Sequence, residues 1–483
     1  MREEELVALV RKVQRRQTEF QTVELKATQL GFPKKIYDTL SSFSNQDDGG
    51  VIIFGVAEKE NYEAVGVYDA DDAQKKATEA CEQMEPQVRA VFTNAEIDGK
   101  IVLAAEIPPI EYWNRPVFYK GHGRLKGSYI RVGDADEPMS EYEIYSYEAF
   151  RRRIRDELRT VPECNIEQFN PLRLNTYLDA VKKERKNLSS MQDTEIMELM
   201  GITQGGIPTL AGVLVFAKYP QAWFPQLCVT AVAVPGTEIG TIDDDGARFL
   251  DNRKITGSIP DMLEDAVDFI DKNMRTKTVI NDKGQRADKA EYPLVAIREA
   301  VLNALIHRDY SVFSENTPVS IEMYRNRIEI SSKGEIYGGG SVKQLGKGRP
   351  ETRNPATSNM LELLRVTENR YSGIPTIIRM FKEHGLPDPE FEVSRGIFKV
   401  KLSNGTETPE EYIDKSDMRA AILKYCNKPR SRAELTAFTG KSRYYTMSAF
   451  VQPLLEEGLL RMTIPEIPQS PKQRYVVYTD EDL

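Results

Sequence analysis

Cysteine is scarce and scattered in this chain. Cys81, Cys164, Cys228 and Cys426 form no CxxC pair and no cluster with histidine, so neither a disulfide framework nor a zinc site is indicated and four reduced thiols are expected. Long apolar runs are missing too. No stretch approaches the roughly 20 residues of a membrane span, and MREEELVALVRKVQRR at the start is charged throughout rather than signal-like. A cytoplasmic location is the default reading. Positive charge is not in excess, since 65 Lys and Arg stand against 74 Asp and Glu for a net charge of −9. That balance excludes a protein coated in polyanion-binding surface. No fixed-period repeat is present.

What is present reads as an α+β multidomain protein. With 483 residues, 40% apolar and 29% charged, roughly three domains can each build a core. Boundaries are expected at 1–160, 161–405 and 406–483. In the first unit, a helix from Glu3 to Arg16, a strand at Thr22 to Lys26 and a helix from Pro33 to Phe43 precede the buried strand VIIFGV. A strand at Val65, a helix from Asp71 to Met84, strands at Val88 to Phe92 and Ile101 to Ile107, and a helix from Glu141 to Arg159 follow. In the second unit, LAGVLVFA and LCVTAVAV read as strands and Ile259 to Met274 as an amphipathic helix. A polar stretch from Arg275 to Pro293 then leads to a hairpin, VSIEMY and RIEISS, turning at Arg325-Asn326, and GIFKVKL is a late strand. The long Gly-rich loop from Lys333 to Pro355 has the length of a functional lid. Three helices, Asp417 to Asn427, Ser431 to Thr439 and Arg443 to Glu457, and a two-stranded wing, Leu459 to Ile464 and Tyr475 to Tyr478, make the third unit a winged helix-turn-helix.

Chemistry concentrates in AIREAVLNALIHRDYS, residues 296–311, which spaces Glu299, Asn303 and His307 four apart along one helix. Steps of four drift by only about 40°, so the three share a side while Val301, Leu302, Leu305 and Ile306 pack. The amide oxygen can ligate Mg²⁺, the carboxylate can deprotonate a water, and the imidazole can meet a phosphate oxygen. An ordinary amphipathic helix with a polar stripe is the alternative. His307-Arg308-Asp309 echoes a kinase catalytic loop, but no Gly-rich loop, strand lysine or DFG accompanies it. From Arg419 to Tyr478, ten Lys or Arg stand against four Asp or Glu. Nucleic acid is expected to meet that end, through Arg430, Arg432, Lys441, Arg443 and Tyr444 at the turn and third helix and Lys472 and Arg474 on the wing.

EYPLVAIREAVLNALIHRDYS resembles the opening helix of GHKL (Bergerat-fold) ATPases, in the divergent form found in RecG-like transcriptional regulators. RIEISSKGEIYGG, the RNP at Arg353 to Pro355 and TENRYSGIPTI are further landmarks of that family. The resemblance implies a Bergerat-like α/β sandwich binding ATP and Mg²⁺, with Glu299 as general base, Asn303 on the metal, and His307, Ser332, Gly334 and Gly373 along the nucleotide. Ser331-Ser332 stands where the adenine-reading Asp or Asn is usual, and Tyr371 where a Gly is usual. Weak turnover is therefore the expectation. VELK, FSNQDDGGVIIFGV and YIRVGD resemble the Schlafen AlbA-type α/β domain, which implies Glu19, Glu24 and Glu58 as a metal-dependent nuclease site, with Ala57 where an acid is common. TGKSRYY, PLLEEGLL and IPEIPQSPKQRY resemble the winged helix that ends the same regulators.

The leading expectation is an ATP-binding, DNA-associated regulator, acting on duplex DNA and switching conformation with nucleotide, as a homo-oligomer. The alternatives are a Schlafen-type nuclease acting on RNA or DNA in defence or stress, and a nucleotide-independent oligomeric scaffold.

Overall fold

The run Gly50 to Phe54 is apolar because neither of its faces meets water. In the computed structural model, helix α1 (Glu3–Arg16), strand β1 (Val23–Lys26), helix α2 (Tyr37–Asn45), strand β2 (Gly50–Phe54), helix α3 (Ala70–Glu82), strands β3 (Val91–Ile97) and β4 (Lys100–Ile107) and helix α4 (Glu141–Arg151) follow in order. The sheet runs β1-β2-β4-β3, parallel between β1 and β2 and antiparallel elsewhere. Ile52 and Phe54 pack with Leu40, Phe43, Ala73 and Ala77, while Ile53 packs with Leu6, Val10 and Val13 on the other face. A strand covered on both sides has no polar alternation to show.

Described residues are all but 243–245, 281–285, 341, 348–350, 368–372, 407–417, 440, 442, 466–469, 471–472 and 478–483; side chains at 277–280, 286–289, 343, 437, 444 and 456 are likewise left aside. Met1–Gly405 forms one compact unit and Thr406–Leu483 a second. Among the described residues no helix is long and apolar enough to cross a membrane.

The rest of the larger unit contributes helices α5 (Pro171–Glu184) and α6 (Leu210–Phe216), strands β5 (Val229–Ala233) and β6 (Asp251–Ile255), and helices α7 (Ile259–Asn273) and α8 (Leu294–Ile306). Strands β7 (Val319–Met323) and β8 (Arg327–Lys333), helices α9 (Pro355–Leu363) and α10 (Gly373–His384), and strands β9 (Glu390–Ser394) and β10 (Ile397–Ser403) complete it. Its mixed six-stranded sheet runs β6-β5-β7-β8-β10-β9, and only β5 and β7 are parallel. Ile297, Val301, Ile377 and Phe381 from the helices share one core with Ile321, Ile330 and Leu402 from the sheet.

Several expectations are corrected. LAGVLVFA is a helix, not a strand: every residue from Leu210 to Ala217 is buried, which erases the periodicity, and Thr209 caps the helix by accepting the Gly212 N–H at 3.0 Å. The segment at Val65 is no strand, because Gly55 and Gly66 turn the chain there at φ +94° and +81°. Helix α4 stops at Arg151 rather than Arg159. The strand expected at Val88 begins at Val91. The polar stretch after α7 holds an antiparallel pair, Thr276–Ile280 with Arg286–Ala290.

The smaller unit contains helix α11 (Met418–Tyr425), strand β11 (Arg430–Ser431), helix α12 (Arg432–Thr439), helical turns at Arg443–Tyr445, Thr446–Val451 and Gln452–Glu456, and strands β12 (Leu460–Met462) and β13 (Arg474–Val477). The strands form an antiparallel sheet in the order β11-β13-β12 over a core of Ile422, Leu435, Val451, Leu454 and Tyr475.

Candidate functional site

Helix α8 owes its place to its apolar residues and its use to its polar ones. Ala296, Ile297, Ala300, Val301, Leu305 and Ile306 are buried, which turns Glu299 and Asn303 toward a cleft floored by the β8 and β10 pairs Ile330 with Val400 and Ser332 with Phe398. The cleft measures about 660 Å³, within the range of sites that enclose nucleotide-sized ligands. Glu299, Asn303, His307, Ser332, Gly334 and Gly373 all border it, although they come from three separate segments.

At one end Asn303 Nδ2 donates to Glu299 Oε1 at 3.2 Å, leaving Asn303 Oδ1 as an acceptor. Gly373 opens α10 against this pair, and a side chain there would run into both the carboxylate and the amide. Glycine is the residue that fits. An amide oxygen beside a carboxylate suits Mg²⁺, which takes one or two protein oxygens and completes its shell with phosphate and water. His307 is not inside the helix. Helix α8 ends at Ile306 and His307 is its cap, its N–H donating to the Asn303 carbonyl at 2.9 Å. The imidazole is reached by solvent, yet crowding by protein and the nearby Arg353 guanidinium hold it down at about 4. It stays neutral at pH 7 and so offers a phosphate a hydrogen bond rather than a charge.

The most connected residue at the other end is one that sequence reasoning passed over. Asp309 is fully buried; its Oδ1 accepts from Ser311 N at 2.7 Å and Ser314 Oγ at 3.3 Å, and its Oδ2 from Tyr142 Oη at 3.0 Å and Arg353 Nη1 at 2.8 Å. Asn354 donates to the Ile306 and Arg308 carbonyls at 2.8 and 2.7 Å, so the RNP tripeptide clamps the chain leaving α8. Buried Glu157 caps α9, accepting from Ala356 N and Thr357 N at 2.8 Å each and from Thr357 Oγ1 at 2.7 Å. The one sequence signal for these roles is the RNP itself. The partners Tyr142 and Glu157 lie far off in the chain.

The acidic residues of the first unit stand in an ion-pair network. Arg131 Nη2 lies 2.9 Å from Glu24 and 3.9 Å from Glu19, and Nη1 lies 2.8 Å from Asp136. Glu24 also pairs with Lys26. Glu19 accepts the Leu25 N–H at 2.8 Å; burial and then the charge of Glu24 push its carboxyl up to about 7. Glu58 is exposed. Among the described residues no three His, Cys, Asp or Glu groups are placed to hold a metal ion.

In the smaller unit, Arg430 Nε donates to the Tyr425 carbonyl at 3.2 Å, Arg432 Nε to Tyr475 Oη at 2.9 Å, and Arg474 Nη1 to the Pro429 carbonyl at 3.1 Å. These three are tied within the fold, whereas Lys441 and Arg443 are exposed. Lys472 and the Tyr444 side chain lie outside the described residues.

Family models match three stretches: Schlafen, AlbA_2 over residues 19–140; putative ATP-dependent DNA helicase recG C-terminal over 316–402; and filamentation induced by cAMP protein Fic-like, C-terminal domain, over 420–477. The second covers Ser332, Gly334, Arg353 and Gly373 and begins after α8. The chain is an α+β multidomain protein with a Schlafen AlbA-type domain and a divergent RecG-like ATPase-type domain. Among solved structures it is similar to the DIP2311 protein from Corynebacterium diphtheriae, at 16% identity and TM-score 0.40 over 99% of this chain and 97% of that one. It is also similar to the N-terminal domain of a putative ATP-dependent DNA helicase RecG-related protein from Nitrosomonas europaea, at 24% identity and TM-score 0.23 over 28% of this chain and 92% of that one. None of the curated proteins compared matches the chain.

Proposed function

We propose that this chain is a nucleotide-binding, DNA-associated regulator, with the cleft between α8 and β8 as its nucleotide site. The observation that carries the reading is the convergence of Glu299, Asn303 and Gly373 at one end of a cleft that Ser332 and Gly334 also border. Residues 1–160, 161–405 and 406–483 are its working domains. ATP is the nucleotide implied by the RecG-like match. Asn303 would hold Mg²⁺, which when bound neutralises phosphate charge. Glu299 would take a proton from an attacking water as general base. Neutral His307 donates or accepts a hydrogen bond farther along the ligand.

DNA contact falls to the smaller unit, through Lys441 and Arg443, in a winged-helix manner. Each phosphate contact removed should flatten the salt dependence of duplex binding by about one unit of slope, so Arg443→Ala with an unchanged slope would exclude that residue. Transcription is the process regulated in this reading, with nucleotide binding shifting the arrangement of the domains.

The test is calorimetry with ATP·Mg²⁺ on the wild type and Asn303→Ala, followed by phosphate release from the same samples. Binding that Asn303→Ala abolishes supports the site, and release separates an ATPase from a nucleotide sensor. No binding by the wild type refutes the reading. One observation favours a second reading, a nuclease in the first domain: Glu19 titrates near 7, where an acid or base can work. Cleavage of RNA or DNA with Mg²⁺ or Mn²⁺ that Glu24→Gln removes would establish it.

A further inference from the structure

The apolar stripe of helix α5 ends on an arginine. Leu174, Tyr177, Leu178 and Val181 are its buried residues, and the next position on that side, four residues after Val181, is Arg185. A charge where an apolar residue would continue the stripe needs a polar surface to meet. Arg185 has one, since it borders the same cleft as Glu299 and Asn303. Its backbone is fixed there: the N–H donates to the Val181 carbonyl and the carbonyl accepts the Leu188 N–H, each at 2.8 Å.

The guanidinium is the part of Arg185 that reaches the cleft wall. Helix α9 buries Thr357, Met360 and Leu361 and turns Ser358, Asn359 and Glu362 to the cleft. Arg185 Nη2 donates to Asn359 Oδ1 at 3.1 Å, and Nη1 meets the Met200 sulfur at 3.5 Å, a weak acceptor. The half-buried side chain is in no ion pair among the described residues. Arg353, the other arginine among the described residues bordering the cleft, is already matched by Asp309 at 2.8 Å. Glu299, Glu335, Glu351 and Glu362 border the cleft as well, so an entering triphosphate, still negative with Mg²⁺ bound, meets carboxylates on several sides.

We propose that Arg185 binds the phosphate chain of the nucleotide, and that Asn359 is the positioning residue that holds the guanidinium at the cleft wall. A guanidinium pairs two phosphate oxygens at once through parallel N–H groups. Asn359 and Met200 take one donor each, which leaves the other N–H groups for phosphate. Asn359 is neutral, so it orients the guanidinium without cancelling its charge, where an aspartate would do both. Arg185 lies between the Schlafen match at 19–140 and the RecG-like match at 316–402, so the cation comes from a stretch that neither model covers. The inference rests on the nucleotide reading above and deepens it by naming the group that answers the phosphate charge.

Calorimetry on the full chain with ATP·Mg²⁺ and with adenosine, at two salt concentrations, tests it. Arg185→Ala should weaken ATP·Mg²⁺ about tenfold or more, the size of a charge-assisted hydrogen bond, and leave adenosine, which has no phosphate, at wild-type affinity. ATP·Mg²⁺ binding should also fall less steeply with salt in the variant, because one charge pair has gone. Asn359→Asp keeps the side-chain size and draws the guanidinium into an ion pair, so it should weaken ATP·Mg²⁺ too; it carries the test if Arg185→Ala does not fold. ATP·Mg²⁺ binding unmoved by both variants, equal losses for ATP·Mg²⁺ and adenosine, or an unchanged salt dependence overturns the assignment, and the nucleotide site itself survives so long as Asn303→Ala abolishes binding. No ATP·Mg²⁺ binding by the wild type overturns both.

Discussion

Arg131 in the first domain and Arg353 beside the cleft are both buried arginines paired with an aspartate. Their side chains are 1% and 10% exposed. Arg131 meets Glu24 and Asp136 directly with Glu19 at 3.9 Å, and Lys26 also pairs with Glu24, so three carboxylates share two cations. Arg353 meets one carboxylate and borders the cavity. The first arrangement is closed, and its excess charge is settled by Glu19 holding a proton near neutral pH. The second is open because Arg353 lines the cleft, whereas a buried Nε without a partner is common to both arginines. A buried ion pair alone does not mark a site. What distinguishes a site is polar capacity left over beside a cavity.

The largest effect should come from breaking the closed cluster. Arg131→Ala strands Asp136 without a cation and leaves Glu24 with Lys26 alone, and removing one partner of a buried network costs about 3–5 kcal/mol. Urea unfolding of wild type and variant measures this. A loss below about 1 kcal/mol would mean that water reaches the cluster and that the contrast between the two arginines is wrong.

Next in size is a pH effect in the same cluster. Glu19 is raised from the ordinary glutamate value of 4.5 to about 7 by burial and by Glu24. Between those values the folded chain keeps a proton that the unfolded chain has released, so this group's contribution to stability falls as pH rises from about 4.5 to about 7. The size is on the order of 1–3 kcal/mol, allowing for solvent screening at the open side of the cluster. Glu19→Gln should flatten that part of the stability profile in chemical unfolding run across the window. An identical slope in wild type and variant would remove Glu19 as its source.

How much of this was legible depended on how far apart the partners lie. Glu299 and Asn303 could be read because helix geometry alone places residues four apart on one face, and Gly50 to Phe54 could be read because five consecutive apolar residues suit a covered strand. Leu210 to Phe216 is apolar in the same way and is a helix, since a fully buried run carries no period to tell the two apart. Asp309 was readable only as part of a false kinase echo. Its partners are Arg353, 44 residues on, and Tyr142, 167 residues back. The RNP tripeptide was visible as a landmark without a role, because its role depends on the chain that leaves α8. Ion pairs that close one domain against another leave no local pattern.

Tyr142 offers a smaller test of the open side. Tyr142→Phe deletes one of four hydrogen bonds to Asp309, and the carboxylate keeps the other three. The expected loss is about 1 kcal/mol in urea unfolding. A loss as large as that of Arg131→Ala would show that Asp309 is as tightly balanced as the closed cluster.

The smallest effect belongs to Arg153 and Glu351, which join the first domain to the rim of the cleft. The side chains are 60% and 50% exposed. Water solvates both charges before and after the pair forms, and two long side chains lose freedom to make it, so exposed pairs of this kind contribute about 0–1 kcal/mol. Arg153→Ala should leave the urea midpoint nearly unchanged, and whatever difference remains should vanish when salt is raised, because screening acts on exposed charges first. A salt-insensitive loss from this substitution would mean that the guanidinium packs as an apolar cover, which its contact with the Phe150 ring at 4.7 Å permits. The rim would then be held by dispersion and stacking, and the distinction between closed and open arginines would extend to a third that is neither.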